Sequence, residues 1–320
     1  MARRKSTASK LTPAVRHLRY DVTNSEIPGT ETSHFIDLAK DLSNLNRRLY
    51  RQGRSYHVKR ITVVSRDTIA GFEGPGNTQQ NAGRISFSTA PNSWVARGAW
   101  NRGLKTFNLM NKEATQSLTN DISGKWSDFK IYLSDAHYSG TKLVPIYNGG
   151  NSPTGGEWTY SNYQSPDGTT SADGFRIHLM GATTGVPGAI NSAGLIQSFG
   201  DTRATVDSDQ PNVPGDASDD PLLNVFDYGT TIDEVINQLE SDNDNPPYAK
   251  DDYPGGDTNM SKPLVMVDGT VSDGSTTLPG FEALCGLVEV ECNSPIANDV
   301  YSVLVELAPG KYRGIKADVI

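Results

Sequence analysis

The sequence predicts a mainly β protein, a sandwich or jelly roll that carries helical insertions and long loops. Ten strand-like segments recur along the chain, clusters of Gly, Pro, Asn, Asp and Ser separate them, and few stretches keep a helical period. The segments are 56–66, 83–90, 125–135, 142–147, 157–163, 174–181, 194–206, 262–268, 284–292 and 300–308. Two of them alternate cleanly. Phe129, Ile131 and Leu133 share one face against Lys130 and Tyr132, and Val288 and Val290 alternate with Glu289 and Glu291. The separating clusters, among them 71–77, 148–156 and 165–174, hold the residues that favour turns and surface loops.

Residues 1–30 are rich in Ser, Thr, Lys and Arg, contain Pro13 and Pro28 and lack periodicity, which predicts a flexible basic arm ahead of one domain over 31–320. From Ser33 to Arg51, Phe35, Leu38, Leu42, Leu45 and Leu49 recur at spacings of three and four. That pattern predicts a helical insertion near 33–52 with one buried stripe, ended by Gly53, and with Arg47 and Arg51 turned outward. A second helix is predicted over 93–110, with Ser93 as N-cap after Pro91, although Gly98 and Gly103 lower its propensity. A third, near 230–240, opens on the capping-box string Thr231-Ile-Asp-Glu234, with Ile232, Val235, Ile236 and Leu239 as its apolar face.

Charge is the most uneven property of the chain. Residues 1–60 sum to +8 and residues 61–320 to −16. The stretch 46–60 holds six basic side chains (Arg47, Arg48, Arg51, Arg54, Lys59, Arg60) and no carboxylate, interleaved with Tyr50 and Tyr56. Upstream stand Arg3, Arg4, Lys5, Lys10, Arg16 and Arg19, with no acid before Asp21. Lys and Arg release counterions from phosphates, and aromatic rings stack on bases of a single strand, so these fourteen residues are the expected nucleic-acid contacts. The competing reading is a solvated surface whose charges pair with neighbours. The segment 207–257 has fourteen Asp/Glu and one Lys. It reads as a solvated acidic face, because neither Asp207-x-Asp209 nor Asp242-x-Asp244 continues into a calcium-loop pattern.

Several function classes lack a signature. No nucleophile elbow, zinc-protease helix motif or phosphate-cradling loop occurs, and Gly71, Gly74 and Gly76 are wrongly spaced for a dinucleotide loop. No histidine stands three or four residues from another, so no catalytic residue, metal site or cofactor is expected. No run of eighteen apolar residues occurs, so no membrane span is expected. A charged start without an apolar stretch behind it is not the pattern of a secretion signal. Cys285 and Cys292 are read as reduced packing residues.

Particular strings resemble those of a known group. Thr32-Ser-His-Phe-Ile-Asp-Leu-Ala39, Asn46-Arg-Arg-Leu-Tyr-Arg-Gln-Gly53, Phe87-Ser-Thr-Ala-Pro91, Gly149-Gly-Asn151, Gly156-Glu-Trp-Thr-Tyr160 and the run from Asp219 to Asp233 are similar to strings in capsid proteins of small circular single-stranded DNA viruses from marine environmental genomes. The likeness covers most of the chain from about residue 30 onward. It implies a single eight-stranded jelly roll whose identical copies form an icosahedral shell around a single-stranded DNA genome in the virion, with the N-terminus inside. It names no contact residues and no host receptor; the contacts above come from charge alone. The rival expectation is a β-sandwich carbohydrate-binding or fibre-like module that stacks sugars on Trp94, Trp126 and Trp158.

Overall fold

The structure is a computed structural model and describes residues 12–65, 83–116, 128–147, 150–164, 174–186, 189–201, 263–271 and 274–320. The acidic segment 207–257 and the expected helix near 230–240 lie outside the described residues, as do Trp126, Arg3, Arg4, Lys5 and Lys10.

The fold is mainly β, with two curled antiparallel sheets packed face to face. In chain order the first elements are β1 (His17–Thr23), β2 (Thr32–Asp37), α1 (Leu38–Asn46), β3 (Arg54–Ser65) and β4 (Gly83–Thr89). An insertion follows, with α2 (Trp94–Gln116), α3 (Asp135–Ser139), β5 (Thr141–Lys142), β6 (Asn162–Gln164), β7 (Gly174–His178), β8 (Thr184–Val186), β9 (Ala189–Gly194) and α4 (Leu195–Asp201). The chain then returns through β10 (Leu264–Val271), β11 (Ser275–Pro279), β12 (Glu282–Ala283), β13 (Leu287–Asn293) and β14 (Val300–Leu307). It closes with β15 (Pro309–Gly310), β16 (Gly314–Ile315) and β17 (Ala317–Val319).

One sheet runs β1-β14-β3-β11, with β12 and β17 also paired to β3. The other runs β10-β4-β13-β2-β5. Only the β2–β5 contact is parallel within these two sheets. Register places Tyr20 opposite Val303 and Val303 opposite Val63, so inward residues line up across three strands. They meet Ile36, Phe87, Val288 and Val290 of the facing sheet in one apolar cluster. Alternation along β13 then does two jobs. Val288, Val290 and Cys292 enter the inter-sheet core, while Leu287 turns to the opposite face. There a second cluster forms under the insertion, from Phe35, Trp100, Phe129, Ile131, Leu179, Leu195 and Cys285. The two free cysteines therefore belong to different cores.

α2 starts where Ser93 predicts: the Ala96 N–H donates to Ser93 Oγ at 3.2 Å. Its glycines, costly for propensity, are contact points. A Cβ on Gly98 would meet the Phe199 ring at 2.8 Å, and one on Gly103 would meet Leu195 at 2.9 Å, so α4 lies directly on the α2 backbone.

Four expectations need correction. Part of the arm is a strand, because Leu18, Tyr20 and Val22 bury one face of β1 against the core. The first helix starts at Leu38, since Thr32–Asp37 pairs with β13 and Asp37 caps the helix by accepting from Lys40 N–H at 3.0 Å. Residues Leu195–Asp201, expected as strand, are helical. In 128–135 the backbone joins its neighbour by one bridge, Tyr132 to His178, and in 142–147 only the first residue is in a strand.

Candidate nucleic-acid interface

The basic stretch divides into three kinds of position. α1 ends at Arg47, in the left-handed region at φ 52, and not at Gly53. Gly53 serves a different purpose: the Trp100 ring lies where its Cβ would stand. Beyond the turn, Arg48 is exposed and donates to the Pro13 carbonyl at 3.3 Å. Asn46 fastens the same segment from both sides, accepting from Val15 N–H at 2.7 Å and donating to the Val15 carbonyl at 3.1 Å. The Arg16 carbonyl takes the Leu307 N–H, so the chain ahead of β1 is laid along the end of α1 and β14. Arg19 is exposed on the outer face of β1.

Three of the six cations in 46–60 are matched by carboxylates of the same chain. Arg51 pairs with Asp128 at 2.9 Å. Lys59 and Arg60 share Glu306, at 2.7 and 2.9 Å, and the Lys59 hydrogen bond leads in holding that carboxyl below its usual range. Arg54 instead stacks on the Tyr312 ring at 3.7 Å and donates to the Ala317 carbonyl. Among the described residues no carboxylate lies within ion-pair distance of Arg47, Arg48 or Arg54.

Tyr50 and Tyr56, expected as stacking surfaces, are core residues with 0% exposure. Tyr50 donates its hydroxyl to the Arg313 carbonyl at 2.9 Å, and Tyr56 donates to the Arg51 carbonyl at 2.8 Å. Neither ring has a face open to a base. On β3, Tyr56 and Val58 turn inward by alternation, and a register shift against β14 next to them leaves Lys59 and Arg60 both outside the core.

The structure adds cations that local sequence did not point to. Lys311, Arg313 and Lys316, on the C-terminal segment, are exposed beside this stretch. Arg313 donates to the Leu49 carbonyl, and its guanidinium lies 5.8 Å from the Tyr312 ring that Arg54 covers. Gly314 packs against Thr12 and Ala14, so the N-terminal and C-terminal segments meet here. Lys40, Arg47 and Arg48 line a groove of about 410 Å³ with Gly155, Gly156, Glu157 and Trp158. Trp158 donates its indole N–H to Asp37 at 3.1 Å, with Lys130 Nζ 4.8 Å from the ring. The half-buried Trp158 is thus the aromatic beside the unpaired cations. Trp94, the other described candidate for sugar stacking, is 60% exposed and meets Phe199 edge-on.

Behind the groove, α1 is anchored by buried acids. Asp37 accepts from Lys40 N–H, Gln52 Nε2, Trp158 Nε1 and Tyr160 Oη, and Gln52 passes the connection on by accepting from Ile131 N–H at 2.7 Å. Asp41 accepts from Tyr20 Oη at 2.6 Å, and burial pushes its carboxyl up to about 8. The outer cations therefore sit on an element that this buried hydrogen-bond network ties to the rest of the fold. No helix among the described residues is long and apolar enough to cross a membrane. No protein-family model, curated protein or solved structure significantly matches the chain.

Proposed function

We propose that the chain is a viral coat subunit of the jelly-roll type, copies of which close into an icosahedral shell around single-stranded DNA. One observation carries this reading. Ranked along the chain, the eight main strands of the two facing sheets are β1, β2, β3, β4, β10, β11, β13 and β14, and β1 pairs with β14, β2 with β13, β3 with β11 and β4 with β10. Every such pair joins ranks that add to nine, as when a long hairpin closed at β4 and β10 is rolled into two sheets. A double Greek key requires pairing of this kind, which supports the jelly-roll reading. The remaining contacts, β14 to β3 and β13 to β4, are those the rolling creates.

Such a fold serves many functions, so the surface must select among them. The opposite signs of the first sixty residues and of the rest favour a polyanion held at one end of the subunit. Arg47, Arg48, Arg54, Lys311, Arg313 and Lys316 are the cations that support this reading, because no carboxylate among the described residues pairs with them.

The purified chain, mixed with a single-stranded oligonucleotide over a salt series, is expected to lose affinity with a log–log slope of roughly −0.7 per phosphate contact. Replacing Arg47, Arg48 and Arg313 together by Ala should flatten that slope by about 2. Negative-stain images of the protein with DNA are expected to show closed particles. Affinity that does not respond to salt, or a protein that stays monomeric under all conditions, would overturn the proposal.

A further inference from the structure

We propose that His57, Glu282 and Asp318 form a binding site for one divalent transition-metal ion of the zinc class. The three residues come from three neighbouring strands: β3 in the middle, β12 on one side and β17 on the other. Glu282 stands directly opposite His57, and Asp318 opposite Ser55, two residues before it. Directly opposed residues, and residues two apart on a strand, share a face, so all four side chains project to the same side. His57 Nε2 lies 2.7 Å from Asp318 Oδ2 and 3.9 Å from Glu282 Oε1, and the three donor atoms lie within 4.8 Å of one another. A tetrahedral ion with ligands at about 2.1 Å needs donors about 3.4 Å apart, a spacing that those two distances bracket.

Two further observations favour an ion over a plain histidine–carboxylate pair. Two carboxylates converge on one imidazole, so even a protonated histidine leaves one negative charge unmatched within the trio, whereas a divalent cation cancels both. Arg97, on α2, adds positive potential near Glu282, but its Nε is engaged by Asn92 Oδ1 at 2.6 Å. Ser55 is 0% exposed, and its hydroxyl engages the Glu282 carboxylate from the same strand face as His57. A buried hydroxyl of that kind orients a ligating carboxylate. The donor set, one imidazole nitrogen and two carboxylate oxygens, suits zinc better than the all-oxygen shells of magnesium or calcium. Three protein ligands leave a fourth position for water or for a donor brought by another molecule.

The consequence is mechanical. β17 holds the end of the chain against β3, and the Lys316 carbonyl takes the His57 N–H. An ion here would tie the C-terminal segment, with Arg313 and Lys316, to the sheet.

The test is isothermal titration of the full-length chain with Zn²⁺ alone, repeated in excess Mg²⁺. One saturating ion per chain, undisturbed by Mg²⁺, and a rise of a few degrees in Tm are expected. Asp318→Asn, at an exposed position, and Glu282→Gln should each abolish saturable binding while leaving the metal-free Tm nearly unchanged. Ser55→Ala should weaken binding about ten- to a hundredfold. No saturable binding in the wild type, or binding that survives in both carboxylate variants, would overturn the site and leave the trio an ion pair. DNA affinity measured on the same samples reports separately on the coat-subunit reading, which this site does not require.

Discussion

The two apolar cores lie on opposite faces of one sheet and treat polar groups in opposite ways. The inter-sheet core is made of regular strands in register, and the polar groups at its edge are acids: Asp41 with Tyr20, and Asp37 with its four donors. The core under the insertion is made of short strands, helices and irregular backbone, and the polar groups buried in it include two imidazoles. His137 stacks on Phe35 at 4.9 Å and accepts from Leu133 N–H, and His178 spans Met180 and Ser192. The difference shows where each region takes its rigidity from. Strand ladders satisfy their own backbone groups, so the sandwich needs few buried side chains for that purpose. Irregular backbone recruits side chains to do it.

Asp37 is the point at which the two regions are joined, and its loss should have the largest effect. Its Oδ2 accepts from Gln52, Trp158 and Tyr160, and Gln52 reaches across to Ile131 in the second core. Asp37→Ala would strand four donors, three of them on Oδ2, at a cost of about 3–5 kcal/mol. Asp37→Asn, which retains one acceptor oxygen, should cost less. Chemical denaturation followed by tryptophan fluorescence measures both. If Asp37→Ala leaves the midpoint unmoved, the two cores are not coupled through this residue.

A matched pair of glycines sharpens the contrast. A Cβ at Gly280 would collide with the Val58 and Lys59 carbonyls of β3, and one at Gly194 with the Gly181 carbonyl inside the insertion. Each collision is with backbone, which cannot rotate away, so each Gly→Ala change should cost about 1–3 kcal/mol. The location of the damage should differ. Gly194→Ala is expected to speed hydrogen exchange over 174–201 while sparing β1, β3 and β14, and Gly280→Ala to do the reverse. Uniform loss of protection from both variants would mean that the two regions open as one unit.

Legibility in the sequence follows the same division. Strands that alternate apolar with polar residues announce themselves, as Val288 and Val290 against Glu289 and Glu291 do, even though Glu289 is itself buried beside the second core. β2 is buried on both sides, by Ile36 toward one core and Phe35 toward the other, so its alternation is erased. Phe35 then falls at helical spacing from Leu38 and Leu42, which made the strand read as the start of α1. β1 was masked by composition, although Leu18, Tyr20 and Val22 carry the period. On the candidate surface, charge identified Arg47 and Arg48, while Tyr50 and Tyr56 were misplaced because aromatics beside cations look the same whether they face bases or a core. Lys311, Arg313 and Lys316 are brought beside the stretch by the C-terminal segment, and the trio of His57, Glu282 and Asp318 by the pairing of β12 and β17 to β3, contacts between residues distant in sequence.

The smallest effect per step is a pH dependence of opposite sign in the two regions. In the folded state Asp41 titrates near 8, chiefly through burial, against an ordinary value of 3.8. Between those values the folded chain holds a proton that the unfolded chain has released, so the contribution is complete below about pH 4 and is lost as pH rises to 8. Burial depresses His137 to about 3 from 6.5, and moves His178 the same way. Their contribution is complete above pH 6.5 and is lost as pH falls toward 3. Each group alters stability by at most about 1.4 kcal/mol per pH unit. Through these groups acid should loosen the insertion and alkali the α1 end of the sandwich, while His34 on β2, also lowered by burial, adds some acid sensitivity to the sandwich. Asp41→Asn is expected to flatten the alkaline limb and leave the acid one. His137→Gln, whose amide oxygen can still accept from Leu133 N–H, should reduce the acid limb alone. An alkaline limb unchanged in Asp41→Asn would place its origin outside Asp41 and remove this half of the contrast as argued from that residue.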